Sequence, residues 1–155
     1  MSINFTVRSY RKADHKALIR FLEGAFSELG KQFLPELKDS DIRNIEAVYL
    51  NGRGSFHVVE VDGQICGSIG IRSYSDTIAE LKRLYIARDL RGIGLGEALC
   101  KKAIEDAKEL GYSHLRLDTT FRSKAAIKLF LKLGFKQIDR YNPNPVAEMF
   151  FEKSL

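Results

Sequence analysis

The chain is poor in the residues that build special scaffolds. It has two cysteines, Cys66 and Cys100, and three prolines in 155 residues. Two cysteines cannot form a disulfide framework, and no Cys/His cluster has zinc spacing. No metal is expected, and a reducing, cytoplasmic setting is the default expectation. No apolar run approaches the roughly 18 residues that a membrane span needs. The segment from Met1 to Arg8 lacks the basic-then-apolar plan of a signal peptide, so no membrane partner is expected. There are no internal repeats and no low-complexity tract.

Hydrophobic residues make up 45% and charged residues 29% of the chain, an ordinary balance for one globular domain with a real core. A single domain over residues 1–155 is the expectation. The net charge is +5, from 25 Lys+Arg against 20 Asp+Glu. Nucleic acid, a phosphorylated cofactor or an anionic metabolite would each account for that excess, as would solubility alone. The basic residues are interspersed with acids, as in Lys101-Lys102-Ala103-Ile104-Glu105-Asp106, with no aromatic-studded basic motif and no helix-turn-helix signature. Nucleic-acid binding is therefore the weakest of the function classes considered.

Hydrophobic periodicity outlines the elements. Ile3, Phe5 and Val7 alternate with polar residues, as a half-buried strand does. Asp14 is placed to cap a helix with Leu18, Phe21, Leu22, Ala25, Phe26 and Leu29 on one face, stopped by Gly30. A second helix is expected after Asp39-Ser40, with Ile42, Ile45, Val48 and Tyr49 inward. The period then changes to two. Residues 56–61 and 64–72 flank an Asp62-Gly63 hairpin turn, and 78–87 form a further strand. Helices over 95–110 and 123–133 alternate with strands over 113–120, 136–141 and 146–152. The order β-α-α-β-β-β-α-β-α-β-β makes the chain α/β, with a mixed sheet and helices on both faces.

The sharpest local signal is Arg91-Gly92-Ile93-Gly94-Leu95-Gly96, between a strand and a helix. Glycines there let backbone N–H groups converge on a ligand. The helix N-terminus adds partial positive charge and Arg91 a full one, a combination suited to phosphate or pyrophosphate. The run ends Gly96-Glu97, so it is not a P-loop. Its G-x-G-x-G spacing is not the dinucleotide-binding fingerprint either. A tight turn with no ligand is the competing reading.

Arg91-x-x-Gly94-x-Gly96 resembles the acetyl-CoA turn of the GCN5-related N-acetyltransferases. Ser123-x-x-Ala126-x-x-x-Phe130-x-x-x-Gly134-Phe135 resembles their second signature, in which Asn and Tyr usually stand where Ser123 and Phe130 stand here. The order of elements is similar as well. Glu80-Leu81-Lys82-Arg83-Leu84-Tyr85, Leu117-Asp118-Thr119 and Tyr141-x-x-Asn144-Pro145 are similar to a common bacterial branch of that family.

The resemblance implies acetyl transfer from acetyl-CoA, by direct attack in a ternary complex, to the primary amine of a small molecule or peptide. It implies pyrophosphate on the backbone of Arg91, Gly92, Ile93, Gly94, Leu95 and Gly96, and pantetheine along Leu84, Tyr85 and Ile86, with Ser123 and Phe130 also near the cofactor. Relatives often dimerise, so a homodimer is an allowed assembly. A primary amine arrives protonated, with a pKa near 10, so a base must take its proton. Glu80 lies ~13 Å up the strand from Leu84 at ~3.3 Å per residue, and is the candidate catalytic base. The competing reading of Glu80 is an exposed carboxylate paired with Lys82. Phe130 has no proton to give the departing thiolate, which leaves Tyr85, Tyr141, a water or no acid at all. A non-catalytic acetyl-CoA-binding module is the main alternative.

Overall fold

The computed structural model describes residues 3–155. Met1 and Ser2, which open the segment inspected for a signal peptide, lie outside the described residues. Seven strands form one mixed sheet: β1 (Thr6–Ser9), β2 (Ser55–Val61), β3 (Gln64–Ser73), β4 (Ile78–Ile86), β5 (His114–Thr119), β6 (Lys136–Ile138) and β7 (Met149–Ser154). Their spatial order is β1-β2-β3-β4-β5-β7-β6. Only β4 and β5 run parallel; the other neighbours are antiparallel. The helices are α1 (His15–Glu28), α2 (Leu95–Glu109) and α3 (Lys124–Lys132).

The alternation of side chains along each strand builds two cores, one on each face. On one face Ile69, Ile71, Ala79, Leu81, Leu115 and Leu117 meet Leu95, Leu99, Ala103 and Ala107 of α2, with Phe130 of α3. On the other, Phe56 and Val58 meet Leu18, Leu22 and Phe26 of α1, with Ile42, Ile45 and Tyr49. Helices thus cover both faces, as the strand and helix order predicts.

Four expectations need correction. The last strand, expected over 146–152, runs from Met149 to Ser154. The second helix is a 3₁₀ turn (Ser40–Asn44) followed by a π turn (Glu46–Leu50). Its inward residues are those expected, but Asp41 is drawn onto Arg83 and the Tyr49 hydroxyl, and regular α geometry gives way around them. The first strand begins at Thr6, where its pairing with Glu60 begins; Ile3 and Phe5 precede it and are exposed. The strand expected over 136–141 ends at Ile138. Beyond it, Tyr141 and Asn142 turn inward to bond a buried carboxylate, so this stretch roofs the sheet instead of extending it.

Candidate active site

The parallel pair β4–β5 is short. Residues Ile78, Ala79 and Glu80 face His114, Leu115 and Arg116, and the pairing stops there. From Leu81 to Ile86, β4 keeps its antiparallel partner β3 but, among the described residues, has no strand on its other side. The Ala87 N–H donates to the Cys66 carbonyl at 2.8 Å. By the two-residue alternation of strand amides, those of Ile86 and Leu84 therefore face the gap. Tyr85 packs its ring on Phe26, centroids 5.1 Å apart, on the α1 face, where burial pushes its phenol pKa up.

At the end of the gap lies the glycine turn. Gly92 and Gly94 have φ of 82° and 90°, the left-handed region that glycine enters without strain. A Cβ at either position would point into open space, so the demand there is conformational, and space is left beside the turn. The first bond closing α2 runs from the Ala98 N–H to the Gly94 carbonyl at 3.1 Å. The N–H groups of Leu95, Gly96 and Glu97 thus have no partner within the helix and add to its positive end. Leu95 is buried and anchors the helix, whereas Ile93 is exposed. A Cβ at Gly96 would meet Leu129 Cδ2 of α3 at an ordinary contact of 3.4 Å. Arg91 lies about half exposed, its Nε donating to the Ile86 carbonyl at 3.3 Å. Bare amides, a helix N-terminus and an exposed guanidinium fit a pyrophosphate.

Glu80 sits at the closed end of the gap and is not the exposed strand carboxylate of the competing reading; it is 4% exposed. Its Oε2 accepts from the Tyr141 hydroxyl at 2.8 Å and from Asn142 Nδ2 at 3.1 Å. Its Oε1 accepts from Arg72 Nε and Nη2, both at 3.4 Å. Asn142 Nδ2 also donates to Asp118 Oδ2 at 2.7 Å, so one amide bridges two carboxylates. Lys82 Nζ lies between the same pair, 3.7 Å from Glu80 and 3.5 Å from Asp118. Burial and the negative charge of Glu80 push the Tyr141 phenol pKa far up. Arg83 occupies a bulge in β4 at φ 61° and binds Asp41 through Nε at 2.9 Å and Asp39 through Nη1 at 2.8 Å.

Ser123 is the residue before α3; its hydroxyl caps nothing and lies 3.4 Å from that of Thr120. Phe130 is buried against Phe135 and Phe151, at centroid separations of 5.7 and 6.2 Å. It belongs to the core under the sheet. Asn142, Asp118 and the Arg83 anchor complete the polar site, and sequence reasoning did not give them these roles. Asp118 carried a partial signal, in the Leu117-Asp118-Thr119 string that is similar to one branch of the family.

Residues 17–135 match the acetyltransferase (GNAT) family model. The chain is 34% identical over 134 residues to the uncharacterized N-acetyltransferase YjgM of Escherichia coli, covering 81% of this chain and 78% of that protein. It is 32% identical over 119 residues to a probable N-acetyltransferase, camello, of Xenopus tropicalis, covering 75% of this chain. It spans about half the length of several such relatives, 52% in the case of camello. A crystal structure of a GNAT-family acetyltransferase from Staphylococcus aureus Mu50 superposes with a TM-score of 0.89 at 23% identity, covering 97% of this chain and 99% of that one. A Thermoplasma acidophilum PaiA N-acetyltransferase solved with coenzyme A has a TM-score of 0.72 at 19% identity, covering 99% of this chain and all of that one.

Proposed function

Because the chain belongs to the acetyltransferase (GNAT) family, we propose that residues 1–155 form one N-acetyltransferase domain that moves an acetyl group from acetyl-CoA to a primary amine. The observation that carries this reading is the place of Glu80: a buried carboxylate at the last paired residue of β4, where β5 departs. Bound acetyl-CoA supplies the activated acyl carbon, whose C–S bond is exchanged for a C–N bond while CoA leaves. The glycine turn holds the pyrophosphate on N–H groups of residues 92–97. The free amides of Leu84 and Ile86 hold the pantetheine arm. Glu80 accepts the ammonium proton, directly or through one water, and so frees the lone pair that attacks.

Direct attack in a ternary complex is favoured over an acyl-enzyme. Cys66 and Cys100 are both buried, and burial pushes the Cys100 thiol up to about 12, far from a thiolate at neutral pH. Phe130, which lies in the core, donates no proton. A CoA thiolate, with a parent pKa near 8.5, leaves without a dedicated acid or takes its proton from water.

Release of free CoA is the test, measured with acetyl-CoA and a broad panel of amines. Amine-dependent release together with the N-acetylated product supports the proposal. Tight acetyl-CoA binding with no release on any amine identifies a binding module and overturns it.

A further inference from the structure

Four cations lie on the strands around Glu80, and they are not equally committed. Arg116, the partner of Glu80 across the β4–β5 ladder, bonds Glu152 at 2.7 Å and lies over the Tyr74 and Tyr141 rings. Arg83 is consumed by Asp39 and Asp41 and is 13% exposed in its side chain. Lys82 is shared between Glu80 and Asp118 and is 19% exposed. Arg72 is the outermost, at 35%. It faces Glu80 directly across the β3–β4 ladder, yet both of its contacts with that carboxylate are 3.4 Å long. Charge-assisted bonds ordinarily close to about 2.7–2.9 Å. Its Nη1 bonds nothing among the described residues. Asp41 also feels its charge, and Asp41 is already claimed by Arg83 and the Tyr49 hydroxyl.

Two positions along, Tyr74 presents a 44% exposed ring. That ring is fixed edge-on to Tyr141 at 5.2 Å, and its hydroxyl donates to the Tyr141 carbonyl at 2.9 Å. The approach to Glu80 is thus flanked by a guanidinium with an unspent edge and by a rigid aromatic wall.

We propose that Arg72 binds a carboxylate of the acceptor and that the acceptor class is the free α-amino acid, its side chain lying along Tyr74. The inference rests on the acetyltransferase reading and adds the substrate class to it. In an α-amino acid the amine and the carboxylate share one carbon. A carboxylate on the outer edge of Arg72 therefore brings the amine to Glu80, which already lies against the inner edge. The planar fork of arginine matches a carboxylate with paired donors, which lysine at this position would not reproduce. The ammonium end meets Glu80 and the carboxylate end stays at the outer cation, so the zwitterion meets opposite charge at each end.

The experiment compares each of a set of L-amino acids with its own α-amide and its decarboxylated amine, in wild type, Arg72→Gln and Arg72→Lys. The wild type should prefer amino acid over amide in kcat/KM by about 10- to 150-fold, the worth of a charged hydrogen-bonded contact. In both variants that ratio should fall toward one, mainly through a raised KM for the amino acid, with acetyl-CoA affinity by calorimetry unchanged. The substrate comparison within the wild type stands even if a variant folds poorly. Equal activity on amides and amino acids, or a preference that survives Arg72→Gln, overturns the inference and leaves the acetyltransferase intact. Acetyl-CoA bound but transferred to no amine overturns both.

Discussion

The Tyr141 hydroxyl donates to Oε2 of Glu80 at 2.8 Å, joining residues 61 positions apart. The bond has one direction, since burial and the charge of Glu80 hold the phenol protonated. Tyr141 therefore fixes the carboxylate and leaves its other oxygen toward Arg72. Tyr141→Phe should lower kcat/KM by about tenfold, as loss of one hydrogen bond to a charged group does. With the phenol pKa raised, the wild-type pH–rate profile should show no descending limb from this group below about pH 10. A limb below that value that Tyr141→Phe abolishes would make Tyr141 a proton donor in turnover.

Glu80→Gln keeps the shape of the side chain and removes the base. Acetyl-CoA affinity should stay near wild type, while turnover falls by roughly 10²–10⁴-fold. The deficit should narrow at high pH, where more amine arrives deprotonated. Turnover and calorimetric affinity measured between pH 7 and pH 10 check both parts. A loss that does not change with pH would assign Glu80 to acceptor binding instead.

Periodicity and turn chemistry made the sheet, its helices and the glycine turn legible, because each depends on neighbours within a few residues. The roof over Glu80 was not legible. Asn142 and Asn144 sit in a stretch that reads as a turn, and their partners, Glu80 and Asp118, come from strands 24 or more positions away. In the sequence Arg83 reads, with Arg72 and Lys82, either as a cation for an acceptor carboxylate or as part of a charged strand edge. Only the bulge at φ 61° and the inward acids Asp39 and Asp41 show that it is spent on structure. Phe130 lies at a position that the family resemblance ties to the cofactor, yet its ring is explained by packing against Phe135 and Phe151.

The glycine turn should respond to φ more than to volume. Gly94 has φ 90° and open space beyond it, so a β-branched residue is strained there whatever its size. Gly94→Val should cost about 1–2 kcal/mol of stability and abolish measurable acetyl-CoA binding as the turn relaxes. Calorimetry paired with thermal unfolding separates the two effects, and unchanged affinity in a folded variant would remove the turn from the cofactor site.

Arg83→Leu should be among the more damaging changes. Asp39 and Asp41 are held ionised below the usual carboxylate range: burial pushes both up, and hydrogen bonds, those of Arg83 among them, outweigh it. Without the guanidinium, Asp41 loses its principal partner, while Asp39 keeps the Leu34 N–H and Lys38. The loss is about 3–5 kcal/mol for a broken buried pair. Urea unfolding at pH 7 reads it directly. A change under 1 kcal/mol would mean that water already shares these charges.

Asp106 gives the fold an acid-sensitive bond beneath α2. Its Oδ2 accepts from Ser55 Oγ at 2.9 Å and lies 2.6 Å from His57 Nε2, while Lys102 Nζ is 3.2 Å from Oδ1. Burial pushes the carboxyl up, but the bonds from His57, Ser55 and Lys102 prevail and hold it below its ordinary value. The sign follows from linkage. A carboxyl depressed on folding contributes its full stability above the unfolded pKa, near 3.9, and loses it as pH falls through the lower folded value. Asp106→Asn should therefore destabilise the protein by about 1–3 kcal/mol at pH 7, with the gap to wild type closing below about pH 4. Urea midpoints at pH 7, 5, 4 and 3 would trace that convergence. A gap that stayed constant down to pH 3 would place the loss in packing around His57 and not in the charge on Asp106.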